Sequence, residues 1–324
     1  MKIGIISFAH GHAYSYANAI QNQEGLELAG VFDEDVTRGK AAAEKYQTTF
    51  FDNYQDLLGT AIEAVIITSE NVKHREHVTA AAEAKKSILC EKPIATTIED
   101  AEKIISSCRD NDVFLQIAFP VRYSTPVKRA KELIDNEELG RILAVKGTNR
   151  GTNPGGWFID KDLSGGGAVM DHTVHVVDLL RWFMDAEVTD VYAEYDNLIS
   201  EQTIDDCGIL TMNFENDVFA TLDCSWSRND AYPTWGDVTL EIIGTEGTLT
   251  VNAFDQKVDV YSDKDGVSWE FWGDDMDEGL IVDFTEAVKS GRQPAITGED
   301  GLRALEVALS AYRSGEKKQS VTNR

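Results

Sequence analysis

Residues 3–17 read IGIISFAHGHAYSYA, and the fold turns on the HGH segment after the first apolar run. Lys2–Ser7 is predicted as a buried strand and Ala13–Gln21 as a helix, so the turn between them decides the fold. In a Rossmann domain that turn carries GxGxxG, whose glycines let the backbone approach a pyrophosphate at the helix N-terminus. Here the three slots hold Ser7, Ala9 and His12, with Gly11 displaced by one. The competing reading is a metal-binding His-x-His, formed by His10 and His12.

The chain beyond the turn favours the first reading. Strands are predicted at Leu26–Phe32, Ala64–Thr68, Ser87–Cys90 and Val113–Ala118. Helices are predicted at Val36–Tyr46, His74–Lys85 and Ile98–Asp110, the last capped by Thr97. Repeated βα units of this length imply an α/β, doubly wound parallel sheet of Rossmann type. After Pro120 the pattern changes. A helix over Pro126–Ile134 is followed by a strand at Ile142–Thr148 and two hairpins. One hairpin turns at Glu215–Asp217 and the other near Thr245–Gly247. Helices at Leu280–Ser290 and Gly301–Arg313 complete an α+β region with a mostly antiparallel, open-faced sheet. The expected division is 1–120, an NAD(P)-binding Rossmann domain, and 121–324, a substrate-binding and oligomerisation domain.

Bulk properties narrow the function. The chain has 324 residues and a formal net charge of −26, which disfavours nucleic acid and anionic membrane as partners. The four cysteines are scattered without a CxxC. No apolar run approaches a membrane span, and the short first strand does not read as a signal peptide. The expected compartment is the cytoplasm. A metal-dependent hydrolase is disfavoured: there are only six histidines, two of them on a predicted helix. An eightfold βα repeat is also missing, and no metal is expected.

Three further features carry chemistry. Asp33 ends the second strand, where a carboxylate can accept both ribose hydroxyls of an adenosine and repel a 2′-phosphate. That points to NAD rather than NADP, although Arg38, one helical turn on, softens the discrimination. SILCEKPIATT, residues 87–97, puts Lys92 at the C-terminal edge of the parallel sheet, held extended by Pro93. SGGGAVMDHTVHVVDLLRWF, residues 164–183, places Asp171 and His175 four residues apart on one helical face, with Asp178 three further on. A carboxylate beside a histidine orients the imidazole as a base for an alcohol proton.

Together, EKP and GGGxxxDxxxHxxD resemble the glucose-fructose oxidoreductase, inositol dehydrogenase and MocA-like (Gfo/Idh/MocA) family. TSENVKHREHVTAAAEAKKSILCEKPIA, FPVRYSTP and PAITGEDGLRALEVALSAYRS extend the resemblance over nearly the whole chain. The resemblance implies that Lys92 contacts the nicotinamide ribose and the substrate, that Asp171 bonds the substrate hydroxyl, and that His175 takes its proton. It places Ser69, Asn71, His74 and Glu91 along the cofactor site, with Arg122 in the turn into the second domain. The turn residues Ser7, Phe8, Ala9, His10, Gly11 and His12 depart from the family's glycine pattern. His10 and His12 are expected to bond the phosphates in place of close backbone approach. The implied substrate is a sugar, inositol or other polyol, with Asn153 and Trp157 as contacts. Asn149, Arg150, Trp226, Arg228 and Trp235 are further candidates. The same residues could serve a redox-neutral, NAD-assisted hydrolysis or elimination, and a non-catalytic NAD sensor is a third reading. The free sheet face and the family point to a homodimer or homotetramer.

Overall fold

The computed structural model describes residues 1–263, 266–271 and 273–323. The first elements are β1 (Lys2–Ile6), α1 (His12–Asn22), β2 (Glu27–Phe32), α2 (Val36–Tyr46), β3 (Phe50–Phe51), α3 (Tyr54–Leu58) and β4 (Ala64–Ile67). Then come α4 (His74–Glu83), β5 (Ser87–Glu91), α5 (Ile98–Asp110) and β6 (Leu115–Ala118). The remainder comprises α6 (Thr125–Asp135), β7 (Ile142–Gly151), α7 (Lys161–Ser164), α8 (Ala168–Met184), β8 (Val188–Asp196), β9 (Cys207–Phe214) and β10 (Phe219–Asp223). It ends with β11 (Gly236–Gly244), β12 (Thr248–Asn252), β13 (Lys257–Ser262), β14 (Gly266–Phe271), α9 (Met276–Ser290), α10 (Gly298–Lys317) and β15 (Val321–Thr322).

The chain forms two compact units. The first contains residues 1–120, 162–165 and 277–302, and the second contains 121–161, 166–276 and 303–324. Two later segments thus return to the first unit, where the sequence suggested one continuous stretch.

In the first unit six parallel strands take the order β3-β2-β1-β4-β5-β6. Ile3, Ile5, Ile6, Val65, Ile66, Ile67, Ile88 and Leu89 are fully buried, the continuous apolar runs of a sheet covered on both faces. Order reverses between β1 and β4, and the carboxyl ends of such strands form the ligand crevice. The helix starts follow from local chemistry. Asp35 accepts from the Thr37 and Arg38 amides at the head of α2, and Thr97 accepts from the Asp100 amide at the head of α5. The sequence missed β3 and α3, which are too short for a periodic signal.

In the second unit the seven-stranded sheet has the order β12-β11-β7-β10-β9-β8-β15. All its pairs are antiparallel except β10 with β7. In β9, Gly208, Leu210, Met212 and Phe214 point inward while Ile209, Thr211 and Asn213 are exposed. Helix α8 covers the inner face closely enough that a Cβ on Gly147 would lie 3.1 Å from Val176. Among the described residues the other face of the sheet is uncovered, with Ile209 56% and Phe219 53% exposed.

Candidate active site

The first turn replaces its glycines at a cost. Ser7 sits in the first glycine slot and takes a left-handed backbone, φ 73°, which an L-residue adopts at roughly 1–2 kcal/mol. Its Oγ accepts the Ala9 amide at 3.1 Å. The Phe8 amide goes to Asp33 (2.6 Å), the His10 amide to the Thr68 carbonyl (3.0 Å) and the His12 amide to His10 Nδ1 (3.1 Å). Phe8 is buried, edge-on to Tyr14. A Cβ on Gly11 would meet nothing within 4 Å, so open space lies over the head of α1. That space, and the dipole of the 11-residue helix beneath it, fit a diphosphate.

Asp33 is buried and its four acceptor sites are filled. Oδ2 takes the Phe8 amide and Arg38 Nε (2.8 Å), and Oδ1 takes the Asp35 amide (2.9 Å) and Arg38 Nη2 (2.7 Å). Arg38 therefore lies directly on the carboxylate expected to hold the ribose. Ribose hydroxyls can reach Asp33 only if that guanidinium rotates away.

At the ends of β4 and β5 the buried groups tie two loops together. His74 lies between the Pro93 carbonyl (2.9 Å) and the Ser69 carbonyl (3.1 Å). Burial pulls its pKa below the ordinary value, against the backbone hydrogen bonds, and the ring ties the Ser69 loop to the EKP segment. Ser69 Oγ meets His77 Nδ1 at 2.9 Å, and burial lowers the His77 pKa to about 4. Asn71 donates to the Ser164 carbonyl at 2.8 Å. Lys92 is 4% exposed, and its amide bonds Glu91 Oε2 at 3.1 Å.

Glu91 joins the first turn, which the sequence did not foretell. Its Oε1 accepts the Tyr16 hydroxyl at 2.5 Å and lies 2.9 Å from His12 Nδ1. Burial alone would raise the Glu91 pKa. His10, His12 and Lys92 outweigh it and hold the carboxyl well below the usual range. Burial likewise opposes the His12 cation, yet Glu91 and then Asp277 prevail over Lys92 and raise its pKa. His10, His12 and Glu91 offer ligand atoms within 4.8 Å of one another, the one such trio among the described residues. Hydrogen bonding speaks against a metal there. His10 Nδ1 spends its lone pair on the His12 amide, which leaves the proton on Nε2, and a metal needs a lone pair.

In the second unit the residues Gly166 and Gly167 serve close packing. A Cβ on Gly166 would fall 2.2 Å from the Tyr312 hydroxyl, and one on Gly167 would fall 1.9 Å from the Asp205 carbonyl oxygen. Asp205 caps α8 from afar, accepting the Gly167 (3.0 Å) and Val169 (2.9 Å) amides, and Tyr312 bonds both Asp205 and the Met170 amide. Neither capping residue was legible in the sequence, because each is distant along the chain. One turn into α8, Asp171 accepts the Trp226 indole N–H at 3.1 Å and lies 3.3 Å from His172 Nε2. His172 Nδ1 meets the Cys224 carbonyl at 3.0 Å. His175, a turn further along, is 6% exposed.

The remaining expected contact residues have partners within the second unit. Arg122 forms a buried bidentate pair with Asp178, at 2.7 and 2.6 Å, and stacks over Trp182. Arg150 and Arg228 both engage Asp237. Asn149 is buried and bonds the His172 carbonyl. Asn153 is exposed and caps Gly155, while Trp157 stacks on Phe158 at 3.9 Å.

The parallel sheet and the open space over its first helix define a Rossmann-type, dinucleotide-binding class of fold. Residues 1–119 match the oxidoreductase family described by its NAD-binding Rossmann fold. Residues 127–250 match the GFO/IDH/MocA C-terminal domain. The chain is 30% identical to the scyllo-inositol 2-dehydrogenase (NAD(+)) of Bacillus subtilis, over 93% of this chain and 90% of that one. It is also 30% identical to the D-xylose 1-dehydrogenase [NADP(+)] of Haloarcula marismortui, over 86% and 79%. A crystal structure of a probable dehydrogenase from Thermotoga maritima matches with a TM-score of 0.87 at 25% identity, covering 99% of this chain and 98% of that one. The chain belongs to the Gfo/Idh/MocA oxidoreductase family.

Proposed function

We propose that the protein reversibly oxidises a secondary hydroxyl of a sugar, inositol or other polyol with NAD. The observation that carries this reading is the Asp171–His175 face of α8, with Asp171 fixed by the Trp226 indole. NAD, when bound, supplies the hydride acceptor. His175 removes the hydroxyl proton, Asp171 bonds the hydroxyl, and Lys92 stabilises negative charge developing on oxygen. Asn153 and Trp157 are assigned to the substrate. Ser69 and Asn71 border the cofactor, while His74 and Glu91 position Lys92 and His12. Incubating the purified protein with NAD and a panel of inositols, aldoses and polyols tests the reading by the absorbance of reduced nicotinamide. Accumulation of reduced cofactor with at least one polyol is expected. Conversion of a sugar without it would favour the redox-neutral reading.

NAD is proposed over NADP because Asp33 puts a carboxylate at the end of the second strand, where it would repel a 2′-phosphate. Arg38 offsets that charge and offers a cation to a 2′-phosphate. A charge-assisted contact is worth about 1.5–3 kcal/mol. Arg38→Ala is therefore expected to weaken NADPH binding by about 10- to 100-fold and to leave NADH binding equal or tighter, as read by calorimetry. An equal loss for both cofactors would remove Arg38 from discrimination.

The uncovered sheet face, with exposed Ile209, Phe219, Tyr192 and Ile243, supports a homodimer or homotetramer. Phe219→Glu on that face is expected to yield monomers in light scattering. A wild-type monomer would contradict the assignment. A cytoplasmic setting is consistent with four free cysteines, and no helix among the described residues is long and apolar enough to cross a membrane.

A further inference from the structure

The first turn poses a problem for an anionic ligand. The amides of Phe8, Ala9, His10 and His12 all donate within the protein, whereas a glycine turn would aim such groups at phosphate. Side chains can supply the difference, and the two histidines supply it differently. His10 Nδ1 accepts the His12 amide, so its Nε2 carries a proton even in the neutral ring. His12 Nδ1 faces an ionised carboxylate, which only accepts, so the neutral ring keeps its proton there. His12 Nε2 then presents a lone pair, and it becomes a donor only in the cation.

We propose that this turn binds the cofactor's diphosphate together with a proton on His12, so that His12, and not His10, couples cofactor capture to pH. The inference rests on the reading of the turn as the diphosphate cradle. The charged and titratable groups facing His12 are Glu91 and Lys92 at the end of β5, Asp277 at the start of α9, His10 in the turn and the Tyr16 phenol on α1. The His12 side chain is 30% exposed. A bound diphosphate adds negative charge, which favours the cation further. The bound-state pKa of His12 therefore exceeds the free-state pKa, so binding takes up a proton at any pH between them. Affinity is flat below the free-state pKa, falls by up to about tenfold per pH unit between the two values, and is flat again above the bound-state pKa.

Calorimetric titration of the full chain with NADH tests this, run in phosphate and in Tris over a range of pH. The buffer dependence of the heat reports proton uptake. Wild type is expected to take up as much as one proton per site and to lose affinity as pH rises. His12→Gln should bind more weakly with no proton uptake. His12→Arg, a permanent cation, should keep affinity at high pH. His10→Gln should bind more weakly while keeping the wild-type pH slope. Wild-type binding without proton uptake, or an unchanged slope in both His12 variants, would overturn the inference while leaving the cradle intact. Failure of wild type to bind NADH at every pH would overturn the cradle and the inference together.

Discussion

His175→Ala is expected to lower kcat by about 10²–10⁴-fold, the usual cost of removing a positioned base. The ring is 6% exposed on α8, one turn beyond Asp171, in a helix whose start is fixed by Asp205 and Tyr312. Those caps do not involve His175, so the helix persists in the variant. NADH binding should be unchanged, because the residues assigned to the cofactor's diphosphate and adenosine lie in the first unit. The expected pattern is thus a fall in kcat with an intact cofactor titration. A variant that keeps near-normal kcat would remove His175 from the chemistry. One that loses kcat and NADH binding together would make the residue structural.

The second large effect concerns stability. Asp178 is fully buried, and both its oxygens hold Arg122. Asp178→Ala removes the bidentate partner of a buried guanidinium, and breaking such a pair from one side costs about 3–5 kcal/mol. Chemical denaturation should show that loss in the unfolding of the second unit. Replacing both partners, Arg122→Met with Asp178→Leu, removes the stranded charge and should recover most of the loss, because a buried pair stabilises little over a packed apolar replacement. A loss below about 1 kcal/mol in Asp178→Ala would mean that water reaches Arg122 and that the pair is not sealed. The sequence assigned Arg122 to the cofactor by resemblance. Its place beside Asp178 and Trp182 follows from packing that no local pattern reveals.

What was legible in the chain depended on distance along it. Helices α2 and α5 match their expected bounds because their caps, Asp35 and Thr97, and their apolar spacing are local. The hairpin turning at residues 215–217 was equally plain, with β9 alternating strictly between buried and exposed. Strands β8, β13 and β14 were missed. In the last two, exposed residues such as Val258 and Tyr261 give little periodic contrast. The site divides in the same way. Lys92, Asp171 and His175 stand in compact motifs. The partners that give those motifs their geometry do not: Glu91 reaches His12 across 79 residues, Trp226 reaches Asp171 across 55, and Tyr312 reaches Met170 across 142. Ser7 in a left-handed backbone is the physical trace of the missing first glycine, and only the structure could reveal that the turn keeps its shape without it.

In the proposed reaction a hydride passes from a carbinol carbon of a polyol to nicotinamide. The most direct measurement follows deuterium from that carbon. The best polyol from the substrate panel, deuterated at its carbinol positions, is incubated with NAD and the wild-type protein, and the cofactor is analysed by mass spectrometry. Mono-deuterated reduced nicotinamide is expected with wild type and is expected to be strongly suppressed in His175→Ala. Product formation with no label in any reduced cofactor, or no reduced cofactor across the whole panel, would contradict it.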